Sequence, residues 1–204
     1  MRLKFIKNLV AFLLFTAMVL AISVSPAFAR GPDDGFSAAK KIETRYFSVS
    51  LASGVDEPAL IQSLNIGPEY NIFSSLNARS GSGASFSINN LGDLLDGLFE
   101  WACGIMDMNL YSYRGSIKIA REENDLKVIY QRLYGQEGYS EKGFYIAEVN
   151  TLYIAAPDFT KEILGHEMGH AIISSFFVVQ PPAKVQEVLA GYIEYQLRKV
   201  KKPR

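Results

Sequence analysis

The sequence predicts an α+β fold: a single domain in which helices pack on a small mixed sheet. Apolar residues recur at a helical period of about 3.6 from Leu91 to Met106, whereas two β-rich runs follow one another from Phe144 to Ala155. The 204 residues are 49% hydrophobic, which is enough for one domain with a real core. The Ser/Gly-rich stretch at 80–83 is interpreted as a surface loop, because neither half of the chain has enough elements to close a core alone.

Cap and turn signals bound the individual elements. Asp56-Glu57-Pro58 opens a short helix that Gly67-Pro68 would end. Asn90 is an N-cap, and Gly135 stops a later helix. Pro181-Pro182 forces a turn that folds the last helix back along its predecessor. The predicted strands are 46–51, 116–119, 144–147 and 152–155, and the helices after the first are 91–106, 122–134, one that contains 163–177, and 184–199.

The first 29 residues have the pattern of a secretory signal peptide. Arg2, Lys4 and Lys7 form a basic start, an apolar stretch follows at 9–24, and Ala27-Phe28-Ala29 is a small-x-small cleavage site. The apolar stretch is shorter than the ~20 residues that a membrane span needs. We therefore expect a periplasmic or secreted protein that has no stable membrane insertion once the signal is cleaved.

The predicted mature chain opens with a polar, Gly- and Asp-rich stretch, so residues 30–44 are expected to be disordered. The domain is assigned to 45–200 and a basic tail to 201–204. Without the three basic residues of the signal, the mature chain has 18 of the 21 basic residues and all 21 acidic residues. It is therefore mildly acidic, which argues against a nucleic-acid partner. Cys103 is the one cysteine, so the exported fold would have no internal disulfide, and its apolar neighbours predict a buried role.

The motif that points to a function is His166-Glu167-Met168-Gly169-His170, which has the form HExxH and contains both histidines of the chain. Residues four apart on a helix share a face with Cβ atoms about 5–6 Å apart, so two imidazoles at this spacing can bind one metal ion. The alternative is a chance placement of two histidines on one helical face. Glu167 lies where it can reach a water on that metal without replacing a ligand. This is the spacing that metal-assisted hydrolysis needs.

The surrounding residues predict that the motif lies on a buried helix. Asp158 or Thr160 is its candidate N-cap, and residues 163–177 are apolar almost all round. Gly165 and Gly169 each cost about 1 kcal/mol relative to alanine in a helix interior, and their spacing of four suggests that another backbone passes close. Polar side chains in such a helix need partners, and a metal ion would be one.

A catalytic zinc site needs a third protein ligand, and with no other histidine in the chain a carboxylate must provide it. In the last predicted helix, small residues Ala190 and Gly191 share a face with Glu187 and Glu194, which would allow a close approach to the motif. Glu187 is the preferred ligand. Glu194 is the fallback; it is also a candidate acceptor for a histidine Nδ1–H, or simply an i,i+4 partner of Arg198.

These residues resemble the zincin metallopeptidases, and among them the gluzincin-like group. The motif is followed by Glu187-Val188-Leu189-Ala190, which is similar to the ExxA element that carries the glutamate ligand in several such families. The resemblance implies one zinc ion bound by His166, His170 and Glu187. It also implies Glu167 as the general base, in a zincin-like domain with an edge strand above the HExxH helix, backing helices and a C-terminal ligand helix. The interval between the motif and Glu187 is shorter than in thermolysin-like enzymes, and Gly191 stands where an aspartate often follows ExxA.

The expected activity is zinc-dependent peptide-bond hydrolysis by a small secreted metallopeptidase that acts on a peptide or protein substrate. Glu167 would take a proton from the attacking water and return it to the leaving amine. Tyr192 or Tyr195 could donate to the oxyanion, but aromatic packing is the preferred interpretation for both. Leu152 to Ala155 would form the upper edge of the cleft and bind an extended substrate. Two other classes stay open: a catalytically silent zinc-binding module that acts by binding a partner protein, and an exported structural domain whose histidines bind nothing.

Overall fold

The computed structural model describes residues 33–66, 90–135 and 142–199. The predicted signal peptide, the loop at 80–83, the Gly67-Pro68 stop and the basic tail lie outside these residues. From Asp34 onward the described residues form one unit. Its strands are β1 Ala38–Glu43, β2 Phe47–Ala52, β3 Gly115–Ala120, β4 Gly143–Ile146 and β5 Thr151–Ala155. Its helices are α1 Glu57–Leu64, α2 Leu91–Met106, α3 Glu123–Tyr134, α4 Lys161–Phe176 and α5 Ala183–Lys199, with short 3-10 turns at Ala147–Val149 and Ala156–Asp158.

The five described strands form one mixed sheet in the order β1-β2-β3-β5-β4, which confirms the predicted α+β class. The pairs β2–β3 and β3–β5 are parallel, and the outer pairs β1–β2 and β4–β5 are antiparallel. The prediction that 152–155 forms the sheet edge is wrong. β5 pairs on both sides, and all of its residues are buried, as expected for an interior strand. Among the described strands, the edge on this side is β4.

The expected disorder of residues 30–44 is also wrong where the structure describes them. Ala38–Glu43 forms β1, which pairs antiparallel with β2 and has a register irregularity between Ala38 and Lys40. Its side chains are almost all exposed, so the sequence shows no apolar alternation there. The backbone hydrogen bonds to β2 stabilise this edge strand instead, and lysines on an edge strand are a common protection against pairing with other chains.

Two hydrophobic clusters cover the two faces of the sheet. On β5, Leu152 and Ile154 belong to the larger cluster with residues of α1, α2, α4 and α5. Tyr153 and Ala155 belong to the smaller one with residues of α3. Successive side chains of a strand point to opposite faces, so the sheet lies between four helices on one side and α3 on the other. Within the described ranges, no helix is both long and apolar enough to span a bilayer.

The predicted helix ends agree with the observed caps. Asn90 accepts a hydrogen bond from the backbone N–H of Gly92 at 2.8 Å, and Gly135 adopts a left-handed conformation with φ of 66°. Of the two candidate caps before α4, Thr160 is the one used: its hydroxyl accepts from the Ile163 N–H at 3.3 Å. Cys103 is buried in the larger cluster as predicted, and burial raises the pKa of its thiol to about 12.

Candidate metal centre

Helix α4 holds both histidines of the motif and packs against both α5 and the edge strand β4. His166 and His170 lie one helical turn apart, with ring centroids 5.1 Å from each other. Both side chains are mostly buried, and both line a cleft of about 500 Å³ between α4, β4 and the start of α5. The predicted buried helix therefore presents its two imidazoles to one open space.

The close approach of α5 to α4 is possible because α4 has two glycines on the contacting side. A Cβ on Gly169 would lie 3.1 Å from the Cα of Ala190, and a Cβ on Gly165 would collide with the side chain of Leu197. The passing backbone predicted from these glycines is thus α5. The expectation that Gly191 also serves this approach is wrong, because a Cβ there would meet nothing within 4 Å. Gly191 is turned away from α4, and Ala190 is the small residue of α5 at the contact.

Glu187 joins the two histidines from α5. Its Oε2 lies 3.5 Å from His166 Nε2, and its Oε1 lies 3.5 Å from His170 Nε2. One ligand atom from each of these three side chains lies within 4.8 Å of the others. Two ligands of a tetrahedral zinc ion with bonds near 2.05 Å are separated by about 3.4 Å. Each histidine nitrogen therefore lies at about this distance from one oxygen of Glu187, and the three side chains are of the types that bind zinc and are close enough together to hold one ion.

Glu194 lies on the other side of the His166 ring. Its Oε2 is 3.4 Å from His166 Nδ1, a buried nitrogen that makes no hydrogen bond of good geometry, and its Oε1 forms an ion pair with Arg198. The predicted i,i+4 pair with Arg198 is therefore formed, and Glu194 also lies beside His166 Nδ1 without accepting a hydrogen bond from it. A carboxylate at Nδ1 favours the tautomer that keeps its proton there and leaves Nε2 free for a metal.

The electrostatics at the second histidine favour the uncharged ring. Burial lowers the pKa of His170 from its ordinary value of 6.5, the neighbouring His166 lowers it further, and the Glu187 carboxylate opposes both. Only a neutral imidazole can bind a metal ion, so the lowered pKa keeps His170 in the binding form at neutral pH.

Glu167 is buried on the side of α4 that faces the edge strand, and it too lines the cleft. Gly143 of β4 leaves the room for it: a Cβ there would lie 3.4 Å from Glu167 Cγ and 3.0 Å from the carbonyl oxygen of Tyr153. A role for Gly143 was not predicted, and the only local signal for it is a glycine at the start of a strand.

Tyr145 is a second residue of β4 at the cleft whose role was not predicted from the sequence. It lines the cleft, and its hydroxyl donates to Asn150 Oδ1 at 2.9 Å, an oxygen that also accepts from Tyr113 at 2.7 Å. Burial raises the pKa of Tyr145 to about 12, so the hydroxyl stays protonated. Its position in an alternating strand indicates which face it occupies, but not that this face borders the histidines.

The two tyrosines considered as possible oxyanion donors, Tyr192 and Tyr195, lie away from the cleft. Tyr192 and Tyr195 are about half exposed on the outer side of α5, and neither lines the cleft. The ring of Tyr195 instead faces Lys199, whose Nζ is 4.1 Å from the ring centroid. A helix turns by about 100° per residue, and this rotation places both rings away from the face that carries Glu187.

Comparison of the chain with protein-family models, with curated proteins and with solved structures found no match. The case for a function therefore depends on the geometry of His166, Glu167, His170 and Glu187.

Proposed function

We propose that this protein is a small zinc-dependent peptidase of the zincin type, gluzincin-like in its glutamate ligand. His166, His170 and Glu187 would bind one zinc ion, and Glu167 would act as the general base. The observation that carries the proposal is the convergence of both Nε2 atoms on the two oxygens of Glu187, each at 3.5 Å. The signal-like N-terminus supports export, so the proposed place of action is the periplasm or the medium.

In this proposal the residues of the chain divide the chemistry among them. A bound zinc ion would acidify a water molecule and polarise the carbonyl group of the substrate. Glu167, buried beside the two histidines, would take the proton of the attacking water and pass it to the leaving amine.

The outer edge of β4 would position the substrate. β4 borders the cleft and is the last strand on this side of the sheet among the described residues, so its outer backbone groups would accept strand addition by an extended peptide. This role replaces the one expected of 152–155, which lies one strand further in. Tyr145 would then lie beside the bound chain, and its hydroxyl, which donates to Asn150 Oδ1, could accept a hydrogen bond from it.

Two variants test the proposal. Glu187→Ala should lower the zinc content measured by elemental analysis, because it removes one of three ligands. Glu167→Gln should keep the zinc and abolish chelator-sensitive hydrolysis of a peptide library. Glu123→Gln, on α3 across the sheet, is the matched control and should change neither.

The outcomes separate the three classes of function. One equivalent of zinc with hydrolysis supports the peptidase. Zinc without hydrolysis in the unsubstituted protein would favour the silent binding module, and full activity of Glu167→Gln would refute the mechanism. Protein that binds no zinc would leave only the structural domain.

A further inference from the structure

The turn between α4 and α5 exposes apolar side chains to solvent. Val178 is 101% exposed and Val179 is 84% exposed, and Phe176 at the end of α4 is about half exposed. Water-exposed apolar side chains are ordinary when single, but adjacent ones at the tip of a turn indicate a surface that is covered by a partner.

This turn is held in place rather than frayed. The side-chain amide of Gln180 donates to the carbonyl oxygens of Ser174, at 3.0 Å, and Phe177, at 2.7 Å. On the other side of the turn, the amide of Gln186 donates to the carbonyl oxygen of Pro181 at 2.8 Å. The hydrogen bonds satisfy the last carbonyls of α4 and fix the two valines at the apex. Their exposure is therefore a stable feature of the fold.

The outer face of α5 continues the apolar surface and adds positive charge. Val185, Val188, Tyr192 and Tyr195 are exposed, and their spacing of three, four and three residues places them in one stripe. Lys184 and Lys199 are exposed on the same side. The two glutamates of α5 face the histidines instead. We call the turn 176–179 and this stripe the outer surface.

We propose that the outer surface docks this protein on an anionic lipid bilayer. The charge on α5 argues for the occupant: the stripe carries lysines and no carboxylate, so it is complementary to anionic headgroups. A second copy docking through the same face would bring like charges together. The convex valine apex suits insertion into a deformable headgroup layer, and tyrosine rings favour the boundary between water and lipid. Docking would place the cleft, whose rim includes Ser174 and Gln186, next to the membrane surface.

The test of membrane docking uses the full chain and a fluorescent label at one position. A measurement of total lipid binding would not suffice, because the apolar N-terminal segment would also bind lipid. Val178→Cys is labelled with a polarity-sensitive fluorophore. Cys103 is 4% exposed and serves as an unreactive background. Val128→Cys, at an exposed valine of α3 across the sheet, carries the control label. Each protein is titrated with vesicles of phosphatidylcholine alone or of phosphatidylcholine mixed with phosphatidylglycerol, with and without a lipid-borne quencher.

With anionic vesicles, the label at position 178 should shift to shorter wavelength and be quenched from within the lipid, whereas the label at 128 should not. Lys184→Gln with Lys199→Gln should raise the lipid concentration for the half-maximal shift by about thirtyfold, since each lysine near an anionic surface contributes to binding. An unchanged label at 178 would overturn the proposal. So would an equal shift with neutral vesicles, or a shift that follows protein concentration without vesicles, which would indicate a second copy. Zinc removal and Glu167→Gln should leave the shift intact, so it is independent of the proposed activity.

Discussion

Replacing Gly169 by alanine should loosen the contact between α4 and α5 on which the candidate metal centre depends. The added Cβ would lie 3.0 Å from Ile193 Cδ1, 3.1 Å from Ala190 Cα and 3.3 Å from Ala190 Cβ. The isoleucine methyl can rotate away, but the backbone of Ala190 cannot, so α5 must move by a few tenths of an ångström.

The expected change in the free energy of unfolding of Gly169→Ala is the sum of two opposing contributions. Alanine in place of glycine in a helix interior stabilises by about 1 kcal/mol. Overpacking against a backbone that cannot yield costs about 3 kcal/mol, the upper end of its usual range. The net loss in the free energy of unfolding is then about 2 kcal/mol. Gly191→Ala is the matched control: it has the same propensity gain and open space for its Cβ, so it should stabilise by about 1 kcal/mol.

Denaturant unfolding of both variants in the presence of a chelator measures these free energies, and zinc titration measures the affinity. Because Glu187 lies on α5, its displacement should weaken zinc binding by about tenfold or more in Gly169→Ala and not in Gly191→Ala. Equal stability of the two variants, or unchanged zinc affinity in Gly169→Ala, would refute the packing argument.

Two further substitutions probe the residues around the centre, and a third probes the stability of the fold. Glu194→Ala should lower zinc affinity by about tenfold without abolishing binding, since it removes the carboxylate beside His166 Nδ1; loss of all zinc would instead make it a ligand. Gly143→Ala should lower kcat with zinc content unchanged, because its Cβ would lie 3.0 Å from the carbonyl oxygen of Tyr153 and force a shift of β4 beside Glu167; parallel loss of zinc would point to a general unfolding. Asp96→Ala should destabilise the fold by about 3 kcal/mol, because this buried carboxylate accepts three hydrogen bonds from the turn before β2. Thermal or denaturant unfolding measures the loss, and a loss under about 1 kcal/mol would contradict this role of Asp96.

The elements of this fold could be predicted because their signals are local. The cap at Asn90, the stop at Gly135 and the period of α2 depend on residues within a few positions of each other. β1 was missed because its side chains face solvent and only its backbone pairs with β2. The edge strand was assigned to the wrong run, since both β4 and β5 are apolar and strand order depends on pairing with β3.

At the candidate metal centre, too, local features could be predicted from the sequence and long-range contacts could not. His166 and His170 could be paired from the sequence, because one turn of a helix brings them together whatever surrounds it. Glu187 was predicted as their partner from residue types, but its distance from them depends on how closely α5 passes over Gly165 and Gly169. The contribution of β4, with Gly143 beneath Glu167 and Tyr145 at the cleft, had no local signal. These contacts join segments far apart in the chain, and only the packing of the helices against the sheet brings them together.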